Sequence, residues 1–183
     1  MYQLRLRCCA PAAGPTKAHF VRRSGPAIQA LCVCSVMIRH RVFLYITHED
    51  QLLLLDHVEF PELKHQIPGG TVEPAEQPTT AALREAEEET GLSRLHIHAF
   101  LGDFQQDLSP YGRNEMIHAW FYHLGISDEP PIRWRHSEHY AHAGEESILF
   151  ELYWAPLNDL PALGGIDGAK LPELRESLAS NAT

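Results

Sequence analysis

The sequence predicts an α/β (α+β) fold: one domain built on a mixed β-sheet with few helices. Three observations predict it. Apolar runs of strand length recur from residue 31 to residue 154. Residues 78–90 carry helical periodicity with helix punctuation at both ends. A chain of 183 residues suffices for one sizeable core, and no internal repeat or composition break marks a second domain.

The elements follow in order. Residues 1–30 hold Arg5, Arg7, Lys17, Arg22 and Arg23 and no acid, so they read as a basic arm or an added strand rather than an organelle-targeting peptide. The single domain is expected over 31–183. Residues 31–38 and 42–47 read as two strands, and 51–56 as a third, so that 42–56 forms a hairpin around His48-Glu49-Asp50. Pro68-Gly69-Gly70 is a turn where backbone can approach closely. Residues 71–73 read as a short strand. The helix over 78–90 starts on Pro78, whose missing N–H costs nothing there, and stops at Gly91, suited to the left-handed position past the end. Residues 95–103 form a strand with His96 and His98 on one face and Leu95, Ile97 and Ala99 on the other. Residues 116–124 are apolar enough for a central strand, 147–154 form the last strand, and 171–178 a closing helix. Residues 125–146 are expected to be irregular, because Pro130-Pro131 cannot continue a regular element. His136, His139 and His142 there read as a solvated polar loop rather than a metal cluster.

Composition narrows the function. The five cations of the first 30 residues against a net charge of −9 leave −14 on the other 153 residues, so stable nucleic-acid binding is not expected. No apolar stretch nears the ~20 residues that span a bilayer, so no membrane association is expected. Cys8, Cys9, Cys32 and Cys34 match no zinc spacing and read as free thiols of a reducing cytoplasm.

The chemistry concentrates in residues 70–92. Glu85, Glu88 and Glu89 sit at i, i+3 and i+4, within an arc of roughly 100° on one helix face. Like charges so placed destabilise a helix by roughly 0.2–0.5 kcal/mol per pair. Their common use is to hold a hard divalent cation through oxygen. Ala82, Leu83, Ala86 and Thr90 occupy the neighbouring side and can pack on a core. Arg84 can pair with Glu88 or reach a loop.

The full spacing is Gly70, five residues, Glu76, seven residues, Arg84-Glu85-Ala86, one residue, Glu88-Glu89, one residue, Gly91-Leu92. It resembles the signature of the MutT-like Nudix hydrolase superfamily at every specified position, over 23 of 183 residues. The resemblance implies a mixed sheet sandwiched between α-helices. It implies a pyrophosphohydrolase that needs Mg²⁺, with Mn²⁺ as the alternative ion, and that cleaves a nucleoside diphosphate linked to another moiety by water attack at phosphorus. Glu85, Glu89 and Glu88 would be metal ligands, completed by a backbone carbonyl of Gly69 or Gly70, which would also lie against substrate. Arg84 would orient a glutamate, and Glu76 would support the loop. The general base would be a glutamate of this segment, or Glu145 or Glu146 before the last strand. The alternative is a Nudix-fold module that binds a nucleotide without cleaving it. A homodimer is compatible with the family. No subgroup marker fixes the substrate: Pro110 and Tyr111 belong to a Ser-Pro-Tyr-Gly turn, and among Tyr111, Trp120, Phe121 and Trp134, which could stack on a base, Trp120 and Phe121 read as sheet and core.

Overall fold

The computed structural model describes residues 36–63, 65–138 and 148–181, all within one compact unit, Ser35–Thr183. The basic segment 1–30, the four cysteines, residues 31–35, and His139, His142, Glu145 and Glu146 lie outside the described residues.

Alternation of apolar side chains builds a sheet that is buried on both faces. Among the described residues six strands form it: β1 (Met37–His48), β2 (Gln51–His57), β3 (Leu95–Asp107), β4 (Glu115–Ile126), β5 (Arg133–Glu138) and β6 (Ile148–Pro156), in the order β3-β4-β1-β2-β6-β5. β1 and β4 run parallel, and every other neighbouring pair is antiparallel. Strands covered on both sides read as continuous apolar runs, and Val42-Phe43-Leu44-Tyr45-Ile46 is such a run. Val42, Leu44 and Ile46 face one core cluster, which α1 (Pro78–Thr90) covers with Ala81, Ala82 and Ala86. Phe43 and Tyr45 face the other, which α2 (Leu171–Asn181) covers with Leu174. The expected sheet between helices is what forms.

Four local expectations are corrected. Residues 37–48 are one strand, not two, because its charged centre finds partners in place: Arg39 pairs with Glu115 and Arg41 Nη2 donates to the Gly69 carbonyl at 3.1 Å. Residues 71–73 form no strand beyond a single bridge between Thr71 and Arg41. The irregular stretch contains β5, an edge strand that pairs with β6. Finally, alternation along β3 breaks at a β-bulge between Ile97 and Ala99, so Ile97 packs on the α1 side and Ala99 on the α2 side. Bulges of this kind re-aim side chains. Among the described residues no helix is long and apolar enough to cross a membrane.

Candidate active site at the glycine turn and helix α1

Helix α1 starts on Pro78 and ends on Gly91, whose φ of 69° is left-handed and whose N–H bonds the Glu87 carbonyl. The two ends therefore fall where the punctuation puts them. The three carboxylates of its acidic face, Glu85, Glu88 and Glu89, separate by environment. Glu85 and Glu89 are buried, at 5% and 9% exposure, whereas the Glu88 side chain is 51% exposed. Glu85 and Glu89 face the Pro68-Gly69-Gly70 turn, which is pinned to β1 by backbone bonds: Val42 donates to the Gly70 carbonyl and Leu44 to the Pro68 carbonyl, each at 2.9 Å.

The turn must be glycine for two reasons. A Cβ on Gly69 would sit 2.3 Å from the Val42 carbonyl oxygen, and one on Gly70 would sit 1.9 Å from Glu85 Oε2. Gly70 thus lets the Glu85 carboxylate press on bare backbone, while the Gly69 N–H donates to Glu89 Oε2 at 2.7 Å.

Arg84 is the hub. Its Nε and Nη2 grip Glu76 at 3.0 and 2.9 Å, its Nη1 reaches Glu85 at 3.0 Å and Glu88 at 2.7 Å, and Nη2 also donates to the Thr71 carbonyl at 3.0 Å. The bond to Glu76, with the nearby charge and bonds of Glu85 and Glu88, raises the Arg84 guanidinium well above its ordinary range. The same Arg84 bond holds the Glu76 carboxyl below the usual carboxylate range. Glu76 also accepts from the Glu73 N–H at 2.9 Å, so one charged cluster ties the loop to the helix.

The far end of α1 is gripped by β5. Trp134 Nε1 donates to the Thr90 carbonyl at 2.8 Å, and His136 Nε2 to the Glu88 carbonyl at 2.9 Å. These donors satisfy carbonyls that a helix end leaves unpaired.

Beside Glu89 and Gly69 opens a cavity of about 280 Å³, lined also by Arg41, Phe43, His57, Gln66 and Asp167. Arg41 Nε and His57 Nδ1 are buried there without a hydrogen-bond partner. Asp167 closes the cavity: its Oδ2 accepts from the Ile67 N–H at 3.0 Å, and its carbonyl accepts from the Tyr45 hydroxyl at 2.7 Å. Burial pushes its carboxyl up to about 6, against the lowering effects of the Ile67 bond and the Arg41 charge. Sequence reading missed Arg41, His57, Gln66 and Asp167. They come from distant stretches with no shared spacing, and the one faint signal was a charged Arg41 inside an apolar strand.

The donors fit a hard cation in kind: carboxylate oxygens on one helix, with a side-chain-free backbone opposite Glu85. Among the described residues, however, no three acidic, imidazole or thiol groups converge as a ready-made cluster. Glu88 is turned to Arg84 and Glu89 to the Gly69 N–H. Of the other candidates, Tyr111 is exposed, Phe121 is fully buried, Trp120 is partly buried, and His136 is committed to α1 rather than to a histidine cluster.

Comparison with known proteins bears on the family and the fold. A family model described as the NUDIX domain matches residues 37–174. Diphosphoinositol polyphosphate phosphohydrolase 3-alpha of Homo sapiens is 38% identical over 65 residues, 36% of this chain and 38% of that protein. The chain therefore spans well under half of that relative. A UDP-X diphosphatase superposes with a TM-score of 0.57 at 17% identity, over 80% of this chain and 66% of that one. A MutT Nudix hydrolase from Burkholderia pseudomallei gives 0.52 at 23% identity, over 75% and 98%. Likenesses at such identities speak to the fold.

Proposed function

The chain belongs to the Nudix family, and on that premise we propose that it is a hydrolase of pyrophosphate bonds that needs magnesium and acts on a nucleoside diphosphate derivative. One observation carries the reading. Two buried carboxylates one turn apart, Glu85 and Glu89, meet the bare backbone of Gly70 and Gly69 at the mouth of a polar cavity.

Glu85, Glu89 and Glu88 would hold the ion, with the Gly70 carbonyl beside them. The ion, when bound, neutralises phosphate oxygens and makes a water nucleophilic near neutral pH. The protein does the rest. Arg84 fixes the rotamers of Glu85 and Glu88 through charge-assisted bonds, which positions the ligands before substrate arrives. Arg41, with an unpartnered Nε in the cavity, pairs with a substrate phosphate. The proton of the attacking water passes to a carboxylate. Glu88 is the exposed candidate on the helix, and Glu145 and Glu146 follow β5.

The cavity chemistry favours a nucleoside diphosphate derivative over a diphosphoinositol polyphosphate, the compound in the human relative's name. A densely phosphorylated ring calls for several cations, whereas this lining offers Arg41 beside the acids Glu89 and Asp167.

A panel of nucleoside diphosphate sugars, dinucleotides and one diphosphoinositol polyphosphate, incubated with Mg²⁺ and read by mass, tests the reading. Turnover of a nucleotide compound is expected, abolished by chelation and lowered roughly 100-fold or more in Glu89→Gln, as loss of several kcal/mol of electrostatic stabilisation requires. Gln at Glu88, Glu145 and Glu146 in turn identifies the base. Turnover of nothing in the panel, with Glu89→Gln equal to wild type, defeats it. Tight binding in calorimetry without product would make the protein a nucleotide-binding module instead.

A further inference from the structure

We propose that His96 and His98, on edge strand β3, form a second metal site: a two-imidazole site for a divalent transition-metal ion such as Zn²⁺, Cu²⁺ or Ni²⁺. The site is independent of the α1 carboxylates and of the reading above.

Two features of the sequence have to coincide for these rings to meet. Side chains two apart on a strand are separated by roughly 6.6 Å of rise, too far for two imidazoles to share one ion without help. The help comes first from β4. His96 pairs with Gly125, which has no side chain. The point that a Cβ of Gly125 would occupy lies 2.9 Å from His96 Nε2 and 2.3 Å from His98 Nε2. Both nitrogens thus border one gap that holds no side chain, and an ion standing off the Gly125 backbone needs each ring to turn until it reaches the ~2.0–2.1 Å metal–imidazole distance. The second contribution is the bulge. His98 is the extra residue between Ile97, paired with Leu124, and Ala99, paired with His123. Its ring is turned across the Gly125 gap, and the two ring centroids are 4.5 Å apart at 77°.

The surroundings suit an ion. Ser127 Oγ lies 3.4 Å from His96 Nδ1, a partner for that nitrogen which leaves Nε2 to an ion. Among the described residues His98 has no hydrogen-bond partner, so its ring is uncommitted. Behind it stands His123, 4.8 Å away by ring centroids. Both nitrogens of His123 are occupied, by Thr47 and Ser177, so it backs the site without joining it. Imidazole without carboxylate selects zinc, copper or nickel over magnesium. Two protein ligands leave the remaining positions to water. An ion held here would staple the bulge of an edge strand to the α2 side of the sheet.

The test titrates tag-free full-length protein with Zn²⁺ in saturating Mg²⁺, and follows the histidine ring signals by NMR with substoichiometric Cu²⁺. Wild type is expected to take up one equivalent more than His98→Ala and His96→Ala, or to hold it at least tenfold tighter, and to gain thermal stability with Zn²⁺ that both variants lack. Gly125→Ala, which fills the gap between the nitrogens, loses the same equivalent. The ring signals of His96 and His98, assigned from the variants, broaden first under Cu²⁺. Equal Zn²⁺ uptake and affinity in wild type and His98→Ala overturns the proposal, as does copper broadening that spares these two rings.

Discussion

A methyl group added at Gly69 and one added at Gly70 would do different damage. At Gly69 the obstacle is the Val42 carbonyl, a backbone atom of a central strand that cannot retreat. Gly69→Ala is expected to destabilise the fold by roughly 1–3 kcal/mol. At Gly70 the obstacle is the end of the Glu85 side chain, which can swing away, so Gly70→Ala should fold and lose the ion site instead. Urea unfolding and pyrophosphohydrolase assays on both variants check the pair: a lower midpoint for the first, a near-normal midpoint with activity down at least tenfold for the second. The spacing of residues 70–92 made this part of the site legible, because every group in it comes from one turn and one helix. Arg41, His57 and Asp167 were not legible. Each is unremarkable in its own stretch, and only the sheet brings them to one cavity.

Helix α1 acts as a clamped part. Arg84 binds its first half to the loop through Glu76 and Thr71, and β5 binds its last turn through Trp134 and His136. Trp134→Phe keeps an aromatic ring, though a smaller one, and removes the bond to Thr90. It is expected to cost about 1 kcal/mol in thermal unfolding and to lower the turnover rate, because the carbonyl of Thr90 next to Glu89 is released. A variant with wild-type stability and turnover would deny β5 that role. β5 was invisible in the sequence for a physical reason. Arg133-Trp134-Arg135-His136 spends its polar side chains on Glu151 and α1, so its pattern is that of a solvated segment. The strand of residues 37–48 was divided for the same cause, since its internal arginines reach Glu115 and Gly69, partners far away in the chain. Helix α1 and strands β2, β4 and β6 were legible because their apolar periodicity is uninterrupted.

Two buried groups push the acid response of the molecule in opposite directions. Burial, with the nearby His98 and His96, lowers His123 to about 4. The unfolded chain therefore takes up a proton near 6.5 that the folded one refuses, and stability falls as pH drops from 6.5 towards 4. Burial raises Asp167 to about 6. The folded chain takes up that proton first, and stability rises as pH drops from 6 towards 3.8. Each effect is worth about 3 kcal/mol at most, so the two nearly cancel in the wild type. Asp167→Asn is expected to expose the histidine term, losing up to about 3 kcal/mol more than wild type between pH 6.5 and 4. His123→Gln should do the reverse. Chemical denaturation at both pH values decides, and parallel curves for wild type and Asp167→Asn would show that Asp167 carries no such charge penalty.

The parallel pairing of β1 with β4 has a consequence for biosynthesis. Residues 37–47 find their partners at 115–125, and β2 finds β6 later still. As the nascent chain leaves the ribosome, the β1–β2 ribbon emerges with both outer edges bare, and they stay bare until those distant segments follow. Two strongly buried strands thus each keep one edge open until late, when an open edge most readily captures another chain.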